Sequence, residues 1–202
     1  MRKRTAAFTC ISAGCLVIGG MYLYSWLNPA VVATEADYHL YGFEEMEERA
    51  DVIVRGTKSG VDRQFIDYDH GGGPLSWYTV SDIDLVDVYK GNAEESFAIV
   101  EPFATDTNLA GRTIYSLGGY VPIEEDEQYI LFLRLIADEE TADAFSIDLT
   151  SEKLYEIVGH YQGQHPLTSD SALTSIQHAQ GHIPYEDDHY VLLHEKVLEK
   201  YK

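Results

Sequence analysis

The feature that most constrains this chain is an uncharged, largely apolar run at residues 5–27. An α-helix rises about 1.5 Å per residue, so this run would span roughly 34 Å, which is enough for a hydrocarbon core about 30 Å thick. Three basic residues within residues 1–4 precede the run, and Tyr24 and Trp26 stand near its far end. Basic residues favour the cytoplasmic side of a membrane and aromatic rings favour its interfaces. The sequence therefore predicts a transmembrane signal-anchor helix at residues 5–27, with residues 1–4 inside and the rest of the chain outside.

Two other readings of this segment stay open. The apolar region of a secretory signal peptide is shorter, about 7 to 15 residues, but residues 31–33 offer a cleavage site after Ala33 that would release a secreted protein. Residues 12–15 resemble a lipoprotein signal, although Ser12 stands where Leu is usual and Cys15 precedes much of the apolar run. Because the run is long, we favour the uncleaved anchor.

The charge distribution separates the two parts of the chain. The formal net charge is −20, and since residues 1–34 contain three basic residues and no acid, the remainder carries −23. Such a domain repels nucleic acids and anionic headgroups, which argues against nucleic-acid binding. The two cysteines, Cys10 and Cys15, both lie in the apolar run. The predicted outer domain therefore has no disulfide, no thiolate nucleophile and no cysteine zinc site.

Residues 28–40 are predicted to be a linker and residues 41–202 one extracytoplasmic domain with a helical extension at its C-terminal end. A helix is predicted at residues 42–50 from apolar residues at helical spacing. Runs rich in β-branched and aromatic residues predict strands at 51–57, 75–89, 96–100, 113–117 and 129–135. Shorter strand candidates are 144–147 and 154–161, and further helices are predicted at 169–177 and 190–201.

The strand at residues 75–89 changes its alternation midway. Ile83 and Leu85 share one face, whereas Val86 and Val88 fall on the other. A one-residue slip flips every side chain, so a β-bulge near Leu85 is predicted. Several short strands with a bulge and flanking helices indicate a mainly β (α+β) domain, as a small barrel or a sandwich.

A family resemblance rests on the order of four segments, at residues 50–57, 80–91, 97–100 and 125–133. Over residues 50–135 the chain resembles a broad set of exported bacterial proteins of unknown function. Their β-barrel is similar to the oligonucleotide-binding (OB) barrel of tissue inhibitors of metalloproteinases and netrin modules. The resemblance implies a five-stranded OB-like barrel with flanking helices. Those inhibitors reach the protease metal with an N-terminal Cys, which the outer domain lacks, so the inhibitory mechanism does not carry over.

One candidate metal site lies near the C-terminal end. His178 and His182 stand at i and i+4, where a helix would place both on one face to hold Zn²⁺, and Asp187 and His189 follow closely. The zinc metalloproteases place a base Glu where this chain has Ala179, so protease chemistry is not favoured. The alternative is two surface histidines near the end of a helix.

A second set of candidates surrounds a glycine-rich loop. Asp67, Asp69 and His70 precede three glycines, a pattern that could wrap Ca²⁺ or form a plain hairpin loop. Trp77 and Tyr78 follow, and aromatic residues near loops are favoured at binding patches, although barrel packing would also use them. These five residues are the candidate ligand-binding set.

The sequence offers no catalytic motif, because it lacks a Gly-x-Ser-x-Gly elbow and a phosphate-binding loop. Pairs of carboxylates occur by chance among 34 acids. The first hypothesis is therefore a non-enzymatic binding module without a cofactor, anchored by a single pass in the cell membrane and meeting a ligand or protein partner outside. The alternative is a metal-binding sensor or metal-dependent hydrolase that uses the C-terminal His and Asp residues with Zn²⁺ or Ca²⁺.

Overall fold

The computed structural model describes residues 23–24, 26–34, 39–108, 111–118, 120–136, 153–167 and 188–202. Most of the predicted transmembrane helix and the elements predicted at residues 144–147 and 169–177 lie outside these ranges. Within the described ranges, no helix has the length and apolar character needed to cross a membrane.

The described residues are mainly β-structure. In chain order the strands are β1 (Ala30–Thr34), β2 (Val52–Tyr68), β3 (Pro74–Lys90), β4 (Ser96–Glu101), β5 (Phe103–Asn108), β6 (Gly111–Leu117), β7 (Gln128–Leu135), β8 (Leu154–Ile157) and β9 (Gln164–Pro166). The helices are α1 (Phe43–Arg49), a 3₁₀ helix (His160–Gly163) and α2 (Asp188–Tyr201). The predicted helix at 42–50 and the predicted strands at 51–57, 75–89, 96–100, 113–117 and 129–135 are therefore confirmed, with shifted ends. The strand predicted at 154–161 is confirmed only as far as Ile157, because the chain then turns into the 3₁₀ helix.

Two sheets organise these strands. In the larger one, β2 pairs antiparallel with both β3 and β7. Strand β3 continues antiparallel to β4, which runs parallel to β8, and β8 runs antiparallel to β7. The pairings thus lead from β2 through β3, β4, β8 and β7 back to β2, and β9 adds to β7. The smaller sheet has the order β1-β6-β5.

The bulge predicted in the long third strand is present. Arg55 pairs with Asp87 and the next residue, Gly56, pairs with Leu85, so Val86 is the extra residue on β3. Leu85 packs against the core, whereas Val86 and Val88 remain about two-fifths exposed. The bulge therefore bends the strand without burying the second apolar pair.

Strand β7 is covered on both faces, as its continuous apolar sequence predicts. Leu131 and Leu133 point into the interior enclosed by the larger sheet, in the cluster that includes residues of β2, β3, β4 and β8. Ile130 and Phe132 point the other way and pack against α1 and α2. Strand β7 is therefore the element that joins the interior core to the helical layer.

One sequence prediction needs correction. Residues 30–34, predicted as part of a linker, form β1 and pair in parallel with β6. The apolar and β-branched side chains of this segment suit it for pairing with the exposed edge of β6. In α2, Leu193 and Val197 are buried, whereas Val191 is 46% exposed. Helical spacing from Tyr190 reaches Leu193 and Val197 rather than the adjacent residue.

Candidate functional site

The segment that follows β8 shapes the candidate site. Gly159 and His160 both have left-handed backbone conformations, with φ values of 65° and 55°. Glycine enters this region freely, and His is one of the few other residues found there repeatedly. A Cβ on Gly159 would lie 2.7 Å from Cδ2 of Tyr41. Glycine at position 159 therefore allows a sharp turn in which the backbone packs closely against the Tyr41 ring.

The Gln162 side chain joins the segment before α1 to this turn through hydrogen bonds. Its Oε1 accepts a hydrogen bond from the Tyr41 backbone N–H at 2.9 Å, and its Nε2 donates to the His39 carbonyl at 2.9 Å. His189, at the start of α2, lies with Nε2 2.9 Å from the Tyr41 carbonyl oxygen. Three distant parts of the chain therefore fix one wall of the site.

A cavity of about 240 Å³ lies beside this wall. Its ionisable and ring-bearing lining residues are His39, Tyr41, Arg49, Arg134, Glu156 and His160, and we call it the basic cavity. Arg49 lies over the Tyr41 ring, 4.8 Å from its centroid, and its Nε lies 3.0 Å from Glu45. Arg134 of β7 forms an ion pair with Glu156 of β8. Two guanidinium groups from separate elements thus face one small volume.

A second cavity, of about 270 Å³, lies next to the first. It is lined by Ser76, Trp77, Tyr78, Val100, Pro102, Glu156, Ile157 and His160, and we call it the aromatic cleft. The Tyr78 ring stacks on Phe65, with centroids 4.8 Å apart and planes 17° apart. Glu156, Ile157 and His160 line both cavities, so the two share a wall.

The shared wall contains one titratable ring whose pKa is shifted. Burial lowers the pKa of His160, while the nearby Glu156 carboxylate opposes this effect. A lowered pKa favours the neutral imidazole, which can donate one hydrogen bond and accept another. His160 is therefore suited to contacting polar groups of a ligand from either cavity.

The ligand-binding residues predicted from the sequence lie in different places in the structure. Trp77 and Tyr78 both line the aromatic cleft. Asp69 instead closes the β2–β3 hairpin, because its Oδ1 accepts hydrogen bonds from the backbone of Gly71 at 2.8 Å and Gly73 at 2.7 Å. These contacts support a hairpin turn, and His70 stands in the same turn.

Asp67 lies in β2, two residues before Asp69, and its side chain contacts a residue of the cleft. Its carboxylate accepts a hydrogen bond from the Ser76 hydroxyl at 2.9 Å, and Ser76 lines the cleft. Among the predicted metal ligands, His178, His182 and Asp187 lie outside the described residues. The ranges that the structure describes contain no group of three or more His, Cys, Asp or Glu residues able to hold a metal ion.

A buried ion pair was missed by the sequence analysis. Lys58 of β2 lies with Nζ 3.5 Å from the carboxylate of Glu101 at the end of β4, and the Glu101 side chain is fully buried. Lys58 also contacts Asp62 at 2.9 Å and the Ile123 carbonyl at 3.1 Å. Among 34 acids, nothing in the sequence distinguished Glu101 except its place after an apolar strand.

The Glu101 carboxylate accepts several hydrogen bonds from groups of the protein. It accepts hydrogen bonds from the Tyr120 hydroxyl at 2.9 Å, the Ile123 N–H at 2.8 Å and the Ser81 hydroxyl. Burial raises the pKa of Glu101, and Lys58 opposes that shift. Because the carboxylate is satisfied by protein groups and lines neither cavity, we assign this cluster to holding the strands together.

A second buried polar contact joins β9 to α2. His165 and His194, which we call the histidine pair, face each other with their Nδ1 atoms 3.3 Å apart. Their rings stack with Tyr190. Burial is the main cause that lowers the pKa of both histidines. The pair therefore fixes α2 against the sheet in a form that needs neutral imidazoles.

No protein-family model matches this chain, and the search of curated proteins finds no match either. The functional case therefore rests on the two cavities, their shared wall and the charges around them.

Proposed function

We propose that this chain is a membrane-anchored extracytoplasmic binding module that takes its ligand in the aromatic cleft. The observation that carries the proposal is a cavity of about 270 Å³ lined by Trp77 and Tyr78 together with Val100 and Pro102. Apolar and aromatic walls with a few polar groups are the usual lining of small-molecule sites. Here Ser76, Glu156 and His160 supply the polar groups.

We infer further that the domain is an OB-like five-stranded barrel. Its support is the cycle of pairings through β2, β3, β4, β8 and β7. OB barrels bind their ligands mainly on the face of their second and third strands. In this cycle those strands are β3 and β4, which carry Trp77, Tyr78 and Val100 of the cleft.

The proposed location follows from the N-terminal sequence. The uncharged run at residues 5–27 would cross the membrane once, with the basic residues inside and the domain of charge −23 outside. The acidic domain would remain off anionic lipid headgroups because like charges repel. Nucleic acid is excluded as the ligand class on the same ground.

Binding is favoured over catalysis by the composition of the cleft. A hydrolase would need a nucleophile or an activated water next to a general base. The carboxylate that lines the cleft, Glu156, is held in an ion pair with Arg134. The ionisable groups of the Lys58–Glu101 pair lie elsewhere and are saturated by protein partners.

A binding screen tests the proposal. The full-length chain, purified in a neutral detergent, would be passed over immobilised oligosaccharides, peptides and lipids. We expect a ligand whose binding is lost in Tyr78→Ala and Val100→Asp. It should be retained in Leu192→Ala, which removes an exposed apolar side chain on α2 that lines neither cavity. Equal binding by all four proteins would refute the placement of the site.

A further inference from the structure

The charge of the basic cavity is unusual for this domain. The region after residue 34 has 34 acids and only 11 Lys or Arg residues, yet the cavity is lined by two arginines and a single carboxylate. His39 and His160 also line it, and the neutral ring of His160 adds a hydrogen-bonding group rather than a charge. In a protein of this charge, a cavity lined at random would carry an excess of acid. Each guanidinium group has one carboxylate partner, Glu45 for Arg49 and Glu156 for Arg134, so the charges here are balanced on an otherwise strongly acidic molecule.

We propose that the basic cavity binds the oxyanion of a small acidic ligand, a carboxylate or a phosphate, whose apolar part occupies the aromatic cleft. This inference rests on the proposed function, because it names the class of ligand that the cleft would receive. A guanidinium group presents its N–H donors as a planar fork that matches carboxylate and phosphate oxygens.

The arginines are held in place before any ligand arrives. Arg49 is fixed by the Tyr41 ring and by Glu45, and the backbone of Tyr41 is in turn fixed by Gln162. Arg134 is oriented by Glu156 across neighbouring strands. Holding charged groups in position lowers the ordering cost of binding.

An incoming anion would compete with Glu156 for Arg134, and this competition costs little. The two side chains are 56% and 40% exposed, so their ion pair lies near the surface. Exposed pairs of this kind contribute little to stability because water and salt screen them. A ligand oxyanion can therefore share or replace the Glu156 carboxylate at Arg134.

The arrangement of the two cavities indicates which part of a ligand each of them would hold. Glu156, Ile157 and His160 separate a cavity rich in charged groups from one rich in apolar groups. The two cavities adjoin, so the rest of a ligand whose oxyanion lies in the basic cavity can extend past this wall. The aromatic cleft is the adjacent volume that can take it. The ligand class is therefore an amphipathic acid rather than a neutral or cationic compound.

Calorimetry on the full-length chain in neutral detergent tests this inference, with inorganic phosphate and acetate as probes at constant ionic strength. We expect Arg49→Gln and Arg134→Gln each to weaken binding of the preferred anion by about 10-fold or more, the range for charge-assisted hydrogen bonds. The matched control is Arg63→Gln, which removes an arginine of similar exposure that pairs with Asp82 at 2.9 Å. It should change affinity less than twofold. No anion binding by the unaltered chain, or equal weakening in all three variants, overturns the inference.

Phenyl phosphate separates this inference from the proposed function. If both hold, phenyl phosphate binds more tightly than inorganic phosphate, and Tyr78→Ala removes that gain while leaving the affinity for inorganic phosphate within twofold. If phosphate binds through Arg134 but the phenyl group adds nothing, the anion site stands and the aromatic-cleft proposal fails. If a cleft ligand is found but its affinity is unchanged in Arg134→Gln, the anion site fails and the cleft proposal stands.

Discussion

Replacing Lys58 with Met leaves the Glu101 carboxylate without its counter-ion in a site where the Glu101 side chain has no exposed area. Methionine keeps most of the apolar length of the lysine side chain, so the change removes the charge together with its contacts to Asp62 and the Ile123 carbonyl. Removing one partner of a buried ion pair typically costs about 3 to 5 kcal/mol. In a domain of this size each kcal/mol lowers the melting temperature by about 2 to 4 °C, so Lys58→Met should lower it by roughly 6 to 20 °C.

The dependence of this loss on pH identifies its cause. Burial raises the pKa of Glu101, and removing Lys58 raises it further. A carboxyl group whose folded pKa lies above its unfolded value binds more protons when folded, so stability is gained as the pH falls. The difference in melting temperature between Lys58→Met and the unaltered chain should therefore be smaller at pH 5 than at pH 7.5.

Circular dichroism melts of the full-length chain in neutral detergent provide the measurement. The control is the double change Lys58→Met with Glu101→Gln, in which no buried charge is left without a partner. We expect the double variant to recover at least half of the lost melting temperature. A double variant as unstable as Lys58→Met, with a loss that does not vary between pH 5 and pH 7.5, would show that packing rather than charge explains the effect.

Three further changes test other parts of the fold. The folded pKa of each member of the histidine pair is lowered, so the melting temperature should fall as the pH drops below about 6.5, and His194→Phe should flatten this fall in pH-series melts. Gly159→Ala should cost about 1 to 2 kcal/mol or more, because it strains a left-handed residue against a ring, whereas Gly42→Ala, with open space around it, should cost far less in the same melts. Leu193→Ala should cost about 2 to 5 kcal/mol and Val191→Ala about 0.5 kcal/mol or less, and equal losses would refute the orientation of α2.

Local patterns predicted β2, β3, β4, β6, β7 and β8 at least in part, but they missed β1, β5 and β9 and the polar interior. The change of alternation after Leu85 predicted the bulge because a strand with one covered face must keep its register. The pairing of Lys58 with Glu101 could not be predicted in the same way, since these residues are 43 positions apart and meet only when β2 and β4 are both placed around the interior. Trp77 and Tyr78 were predicted as ligand-binding residues from their place near a loop, whereas the arginines of the adjoining basic cavity come from α1 and β7, with no local motif to mark them.

Strand β1 indicates whether the N-terminal segment is retained, because it lies at the proposed cleavage site and belongs to the fold. Cleavage after Ala33 would remove four of the five residues that pair with β6, from Ala30↔Thr113 to Ala33↔Ser116. Strand β6 would then present an unpaired edge, which proteins usually avoid. We therefore expect the mature protein to keep residues 1–34, and intact-mass measurement on protein extracted from membranes of an expressing bacterium checks this.

A mass that corresponds to a chain beginning at Thr34 would refute the retained anchor. The control is Ala33→Leu, which blocks a small-residue cleavage site. If no cleavage occurs, this variant and the unaltered chain should have the same extent of processing.

Retention of the anchor would also fix the distance between the folded domain and the membrane. The proposed helix ends at residue 27 and β1 begins at Ala30, so the smaller sheet would stand within a few residues of the bilayer surface. The domain would then meet its partners close to the bilayer surface, which favours ligands that are themselves near the membrane.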